Sequence, residues 1–438
     1  MDSSWIPSAN DPDGDFPISN LPFCVVQNTE SDPQIGVVIG DQVLNLARLA
    51  EAITLPCADD LKHSSLNSLM GQGEQKNLVL RAELTRLLED RPSRLRDQPE
   101  LYSRVLRPLK ECQLGMPVQV GDFTDFYSSL YHATNVGAMF RPDQPLLPNY
   151  KHLPIGYHGR ASSVVASPSP IRRPCGQTAP KPPNEFPSFG PSERLDYELE
   201  LGILMGQGNE WGQSIALNEA WSHVFGFCLL NDWSARDIQK WEYQPLGPFL
   251  AKSFATSISP LVVPAAALEP FRTRRFERDA EDPSLLSYLE DPQDASAGGL
   301  DIQMEVYLTS EKMRQAELEP FKVSHGSYAD MYWTVGQLVT HHASNGCNLR
   351  PGDLLGSGTV SGRERISRGC LLERNWRGDF ENPVSGSQRT PLELPTGEKR
   401  DFLEDGDEVT LTAYCEKDGA ARIGFGSCVG KIVGSSSS

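Results

Sequence analysis

Hydrophobic and polar positions change period several times along the chain, and each change marks an element. Residues 34–46, QIGVVIGDQVLNL, alternate around a Gly-Asp pair and predict two strands joined by a tight turn. Residues 74–90 shift to the helical period, with Leu80, Leu84, Leu87 and Leu88 on one stripe. The pattern lapses between 107 and 120, so a boundary near residue 118 divides a small N-terminal domain, 1–118, from a larger one, 119–438. The larger domain ends in a flexible Ser-rich tail.

Residues 168–193 are crowded with proline, which excludes regular helix or a central strand and predicts a long ordered loop or lid. RLDYELELGILMG then alternates and turns apolar, as a strand does when it enters a core. Residues 224–244, VFGFCLLNDWSARDIQKWEYQ, predict a buried strand running into a helix capped at Asn231 or Asp232. RPGDLLGSGTVSG, near 351, reads as a turn, a short strand and a glycine-rich loop.

Composition narrows the class. Among 438 residues, Gly 37 and Pro 34 imply many turns and favour a β-rich architecture over a helical bundle. Asp and Glu outnumber Lys and Arg by 58 to 40, a formal charge of −18 that disfavours nucleic acid and anionic membrane as partners. The one basic patch, RTRRFERD with Arg272, Arg274, Arg275 and Arg278, is interrupted by acids and is expected to be a solvated surface. Nine scattered cysteines without a C-x-x-C pair suggest neither a zinc cluster nor a disulfide framework. With no apolar run of membrane-spanning length and no signal-like N-terminus, a cytoplasmic protein is expected.

Three segments carry candidate chemistry. In LDYELEL a strand period of two puts Asp196, Glu198 and Glu200 on one face. An acidic face is usually the wet side of a sheet, but this strand runs straight into an apolar stretch. Asp232 leads Arg236, Gln239 and Tyr243 at helical offsets, a set that suits a pocket wall as well as a surface. DFTDFYSSLYHATNVG holds Asp125, Tyr127 and His132. If it is helical, Asp125 and His132 share a face about 10 Å apart along the axis. A lone histidine is more often structural than catalytic. Should Asp125, Glu198, Glu200 and Asp232 converge, each pair ~4 Å apart would repel by roughly 4 kcal/mol at an effective dielectric of ~20. Such a cluster needs a cation, and all-oxygen ligands select Ca²⁺, Mg²⁺ or Mn²⁺ over zinc.

Taken in order, GDFTDFYSS, HATNVG, LPNYKHLPIGYHGRASS, IRRPCGQ, LDYELELG, NDWSARDIQKWEYQPLGPFLAKSF and GSGTVSG resemble the fumarylacetoacetate hydrolase family from about residue 16 to about 430. The resemblance implies a mainly β fold with some α, a small SH3-like barrel domain followed by a rolled β-sandwich, in a homodimer. It implies Ca²⁺ ligands at Asp125, Glu198, Glu200 and Asp232, and a second cation, Mg²⁺, at Asp232, Lys252 and Thr256. Lys252 could ligate only through its carbonyl oxygen. Substrate contacts are implied at Tyr127, Arg141, Gln239, Tyr243 and Thr359. His132 is implied as the general base, oriented by Glu373, with Arg236, Gln239 and Lys252 around an oxyanion.

The reaction implied is hydrolysis of a carbon–carbon bond in 4-fumarylacetoacetate, giving fumarate and acetoacetate, the last step of phenylalanine and tyrosine degradation. Departures from the family pattern occur at Ala251 and Ala255, where glycine is usual, and at Leu261, where tryptophan is usual. Another lies in the loop SGRERISRGCLLE, which makes Glu364 a second candidate for the role of Glu373. Two other readings stay open: a superfamily enzyme acting on acylpyruvates or oxaloacetate, and a catalytically inert cation-binding protein.

Overall fold

The computed structural model describes residues 3–27, 32–379 and 382–435, so the last three serines of the tail lie outside the described residues. The anticipated hairpin forms from Gln34–Ile39 and Gln42–Asn45, with Gly40 taking the positive φ of 54° that the tight turn demands. These strands sit within a five-stranded antiparallel sheet, a half-barrel that also contains Leu106–Pro108, Phe23–Gln27 and Gln113–Leu114. The helix Glu74–Leu88 buries Leu80, Leu84, Leu87 and Leu88, the stripe its period announces.

The larger part of the chain is built on two sheets. The first is eight-stranded and mixed, and its centre is Phe123–Phe126, Leu354–Gly356, Leu199–Met205 and Val224–Asp232. The second places Phe321–Ser327, Gln303–Thr309, Glu408–Cys415, Ile423–Val433 and Ser169–Arg172 side by side. Glu408–Cys415 alternates buried and half-buried residues, so one of its faces is covered. Leu199–Met205 and Val224–Asp232 are buried at every position, because the first sheet is covered on both faces. Cys228 and Leu230 point into the core that holds Leu80, Leu84 and Val37, whereas Phe227 and Leu229 join Met304, Val306 and Leu411 of the second sheet. The acidic strand face is therefore no wet side.

Several expectations change. The segment DFTDFYSSLYHATNVG is no single helix: Phe123–Phe126 is a strand, and a helix, Leu130–Phe140, starts after Ser129, whose Oγ accepts from His132 N. Strand pairing of Phe123–Phe126 with Leu354–Gly356 takes the hydrogen bonds a helix would have used. Asp232 does not cap a helix but ends its strand, and the helix Arg236–Glu242 begins four residues later without a side-chain cap. The proline-rich stretch contains the edge strand Ser169–Arg172 and a hairpin of Cys175–Thr178 with Ser188–Pro191, since edge positions tolerate a residue that donates no ladder bond. The basic patch is largely structural. Arg272 lies 4.0 Å above the Trp221 ring, Arg275 pairs with Glu290, and Arg278 covers Tyr332 while donating to the carbonyls of Lys151 and Pro283.

Candidate active site and metal centre

Strand register assembles the acids. Asp125 lies opposite Gly356, Gly356 opposite Gly202, and Glu200 opposite Leu230, two residues before Asp232. Glu198 sits where the acidic strand is interrupted, between Leu195–Asp196 and Leu199–Met205, with its N–H donating to Asn231 Oδ1. One carboxylate oxygen each of Asp125, Glu198, Glu200 and Asp232 lies within 4.8 Å of the others, and all four side chains are buried. Gly356 makes this convergence possible, since a Cβ there would stand 2.7 Å from Asp125 Oδ1 and 2.9 Å from Glu200 Oε2.

Two cations face these four acids. Lys252 Nζ donates to Glu198 Oε2 and, at 2.6 Å, to Asp232 Oδ2; Arg236 Nη1 meets Glu198 Oε1 at 2.8 Å. Burial acts to raise the Glu198 carboxyl, but the charges of Lys252 and Arg236 outweigh it and hold that group well below the usual carboxylate range. At Asp125 and Glu200 the charge of Lys252 is outweighed. Burial, reinforced by Asp232, pushes Asp125 up to about 8, and burial with repulsion from Asp125 drives Glu200 well above its ordinary value. Asp125 Oδ1 and Glu200 Oε1 are buried without a hydrogen-bond partner among the described residues. Orphaned oxygens and surplus negative charge in an all-oxygen donor set fit a hard divalent cation.

Asp232 also accepts from Tyr157 Oη at 2.8 Å, on the Oδ2 that Lys252 reaches, and from Thr256 Oγ1 at 3.0 Å on Oδ1. The structure thus brings Lys252 and Thr256 together on Asp232, although the ammonium of Lys252 is spent on carboxylates. The methyl of Ala251 is accommodated in a small apolar cluster with Ala235 and Ile238.

His132 stands on the first turn of its helix with its ring edge-on to Tyr127 at 5.2 Å between centroids. Its Nδ1 lies 2.5 Å from Glu373 Oε2. Burial acts to raise Glu373, yet the charge and hydrogen bond of His132, together with the bond from Asn135, win and hold it at about 2. Glu373 is therefore an acceptor and Nδ1 its donor, so in the neutral ring the lone pair lies on Nε2. Glu364 is exposed, so Glu373 is the acid that meets His132. His132, Cys370 and Glu373 could also hold a metal as a trio, but Glu373's oxygens already serve hydrogen-bond donors.

Asp196, which the strand period grouped with the metal-type acids, does something else. It accepts from the N–H groups of Leu371 and Leu372, each at 2.9 Å, and from Arg236 Nε at 3.0 Å. It thereby ties the helix Leu371–Arg374, which carries Glu373, to the arginine beside the acid cluster. Arg236 Nη2 is buried with no partner among the described residues, and Nη1 also reaches Gln239 Oε1 at 3.2 Å. Thr359 Oγ1 is likewise buried and unpartnered among the described residues. Arg141 follows the last turn of the His132 helix, and Tyr243 lies 6.5 Å from Phe140 between ring centroids.

Profiles of known families match almost the whole chain. Residues 19–117 match the one described as Fumarylacetoacetase N-terminal, and residues 123–433 match Fumarylacetoacetate (FAA) hydrolase C-terminal. The chain belongs to the fumarylacetoacetate hydrolase family. Within that family it is 47% identical to the fumarylacetoacetase of Rattus norvegicus over 437 residues, 98% of both chains. It is 44% identical to that of Arabidopsis thaliana over 428 residues, 96% of both. A solved Mycobacterium smegmatis protein assigned to HpcE shares the fold at 18% identity and a TM-score of 0.50, covering 94% of this chain and 99% of that one.

Sequence reasoning missed Tyr157, Asn135, Ser361, Cys370 and Gly356. Asn135 had a signal, being one helical turn from His132 in HATN. Cys370 stands in an equally local relation, three residues before Glu373, whereas Tyr157, Ser361 and Gly356 reach their targets through segments further off in sequence.

Proposed function

We propose that this chain hydrolyses the carbon–carbon bond of 4-fumarylacetoacetate to fumarate and acetoacetate, the last step of phenylalanine and tyrosine degradation. What supports this most is a carboxylate-held imidazole whose charge reaches Glu198 of a buried four-acid cluster with orphaned oxygens. Near-full-length identity to chains named fumarylacetoacetase adds to it.

In this reading His132 Nε2 takes a proton from water, and the water oxygen bonds to the substrate carbonyl carbon next to the bond that breaks. Glu373 keeps the Nδ1 hydrogen in place and stabilises the imidazolium. Arg236 Nη2, the Gln239 amide and the remaining Lys252 N–H stabilise the tetrahedral oxyanion. As that collapses, the carbon–carbon bond breaks, the electron pair leaves with the acetoacetate carbon, and that carbon takes the proton held by the His132 imidazolium, which restores the base. Arg141, Tyr127, Tyr243 and Thr359 bind the substrate, with Arg141 as a fork for a carboxylate end. Asp125, Glu198, Glu200 and Asp232 would hold Ca²⁺, which supplies positive charge for an enolate leaving group. A weaker Mg²⁺ site would use Asp232, Thr256 and the Lys252 carbonyl.

The domain division at residue 118 and a cytoplasmic homodimer belong to the same proposal. Nine free cysteines suit a reducing compartment. No helix among the described residues is long and apolar enough to cross a membrane. The exposed side chains of Trp241, Leu246, Phe249 and Leu250 give a second copy an apolar surface to cover.

The test is to supply fumarylacetoacetate and measure both products. His132→Ala should lower kcat by roughly 10²–10⁴-fold. Turnover of acylpyruvates alone, or turnover indifferent to His132→Ala, would overturn the reading.

A further inference from the structure

Glu373 is surrounded more completely than a partner for one histidine requires. Besides His132 Nδ1, its Oε2 receives Ser361 Oγ at 2.8 Å and Cys370 Sγ at 3.3 Å, and its Oε1 receives Asn135 Nδ2 at 2.8 Å. A carboxylate offers about four lone-pair sites, and the four donors crowd three onto Oε2 and place one on Oε1. All five side chains are buried and Glu373 is 0% exposed, so no water competes for these sites.

We propose that Asn135, Ser361 and Cys370 are positioning residues that set the basicity of His132 by sharing the charge of Glu373. The inference rests on the reading of His132 as the general base. An unshared carboxylate at 2.5 Å favours the protonated imidazole, as does the charge of Glu198, while the charge of Arg368 bears on Glu373 from another side; a protonated ring cannot accept from water. Three further donors draw off part of that negative charge. They also keep Glu373 ionised, so the proton stays on Nδ1 and Nε2 remains the basic atom.

The three come from separate elements. Asn135 is one turn along the helix from His132, Ser361 is on the loop after Leu354–Gly356, and Cys370 immediately precedes the helix bearing Glu373. Ser361 Oγ also accepts from Gly369 N at 3.0 Å, which closes the loop that presents Cys370. Asn135 and Cys370 are the cleaner probes, since neither side chain has another hydrogen bond among those described.

The experiment compares wild type with Cys370→Ala, Cys370→Ser and Asn135→Ala, each checked for folding by circular dichroism. The pH dependence of kcat/KM is measured, and the His132 ring is titrated by NMR in ¹⁵N-histidine-labelled protein, with His132→Gln assigning its signal. Removing a donor should raise the His132 titration, and the acid limb of kcat/KM with it, by about half to one pH unit. KM should stay within about twofold in these variants, because none of the three touches substrate in this reading. Cys370→Ser, which restores a donor, should return both readouts to wild type. If Cys370→Ala and Asn135→Ala fold but leave the His132 titration unmoved, the proposal is overturned. Should wild type fail to turn over fumarylacetoacetate, the functional reading falls, while the NMR titration still decides this one.

Discussion

Glu373 is the residue on which environment acts most visibly. Its carboxyl sits at about 2 in the fold against an ordinary 4.5, so the folded state binds its proton less readily than the unfolded chain. The stabilisation this gives is complete above the unfolded value and is lost as pH falls from 4.5 through about 2. Calorimetry across that window should show the wild-type melting temperature falling with pH more steeply than that of Glu373→Gln, which has no such proton to gain. Asp196 makes a complementary point. Sequence parity placed it with Glu198 and Glu200, but the interruption of the strand turns it toward the N–H groups of Leu371 and Leu372. A carboxylate's role is set by what surrounds it, and a two-residue period cannot report that.

At the scale of elements, the contact that matters most is between strands. Leu354–Gly356 runs between the strands carrying Asp125 and Glu200, and only a residue without a Cβ leaves room for both carboxylates. Gly356→Ala should weaken divalent-cation binding by about 10–100-fold in isothermal titration, through displacement of Asp125 and Glu200. The helix Glu74–Leu88 offers a test of packing alone. Leu84→Ala should cost about 2–5 kcal/mol in urea unfolding, whereas Val79→Ala, on the exposed face, should stay within about 0.5 kcal/mol. That helix and the hairpin at 34–45 were legible in the sequence because their periods are local. The break between Phe123–Phe126 and the His132 helix was not, because the strand exists through its pairings with Gly156–His158 and with Leu354–Gly356, the latter more than 200 residues later.

At the scale of the whole molecule, the first sheet carries the acids and is clamped between the N-terminal half-barrel core and the second sheet. That clamp holds four carboxylates against the two cations Lys252 and Arg236, and a bound divalent ion should relieve the surplus negative charge. Ca²⁺ at a hundred times its Kd should add about 2.7 kcal/mol to unfolding, chelation should remove the gain, and Asp125→Asn should abolish most of it. The sequence by itself determined the periodic elements, the acidic balance, the oxygen-only character of the ligand set and, through ordered motifs, the family. Only the tertiary structure decided that four carboxylates share one space, that Glu373 rather than Glu364 reaches His132 across 241 residues of sequence, and that three more donors converge on it. The reason is physical: propensity and period act over one or two turns of chain, whereas the field at a buried group is summed over neighbours that the chain's path alone brings near.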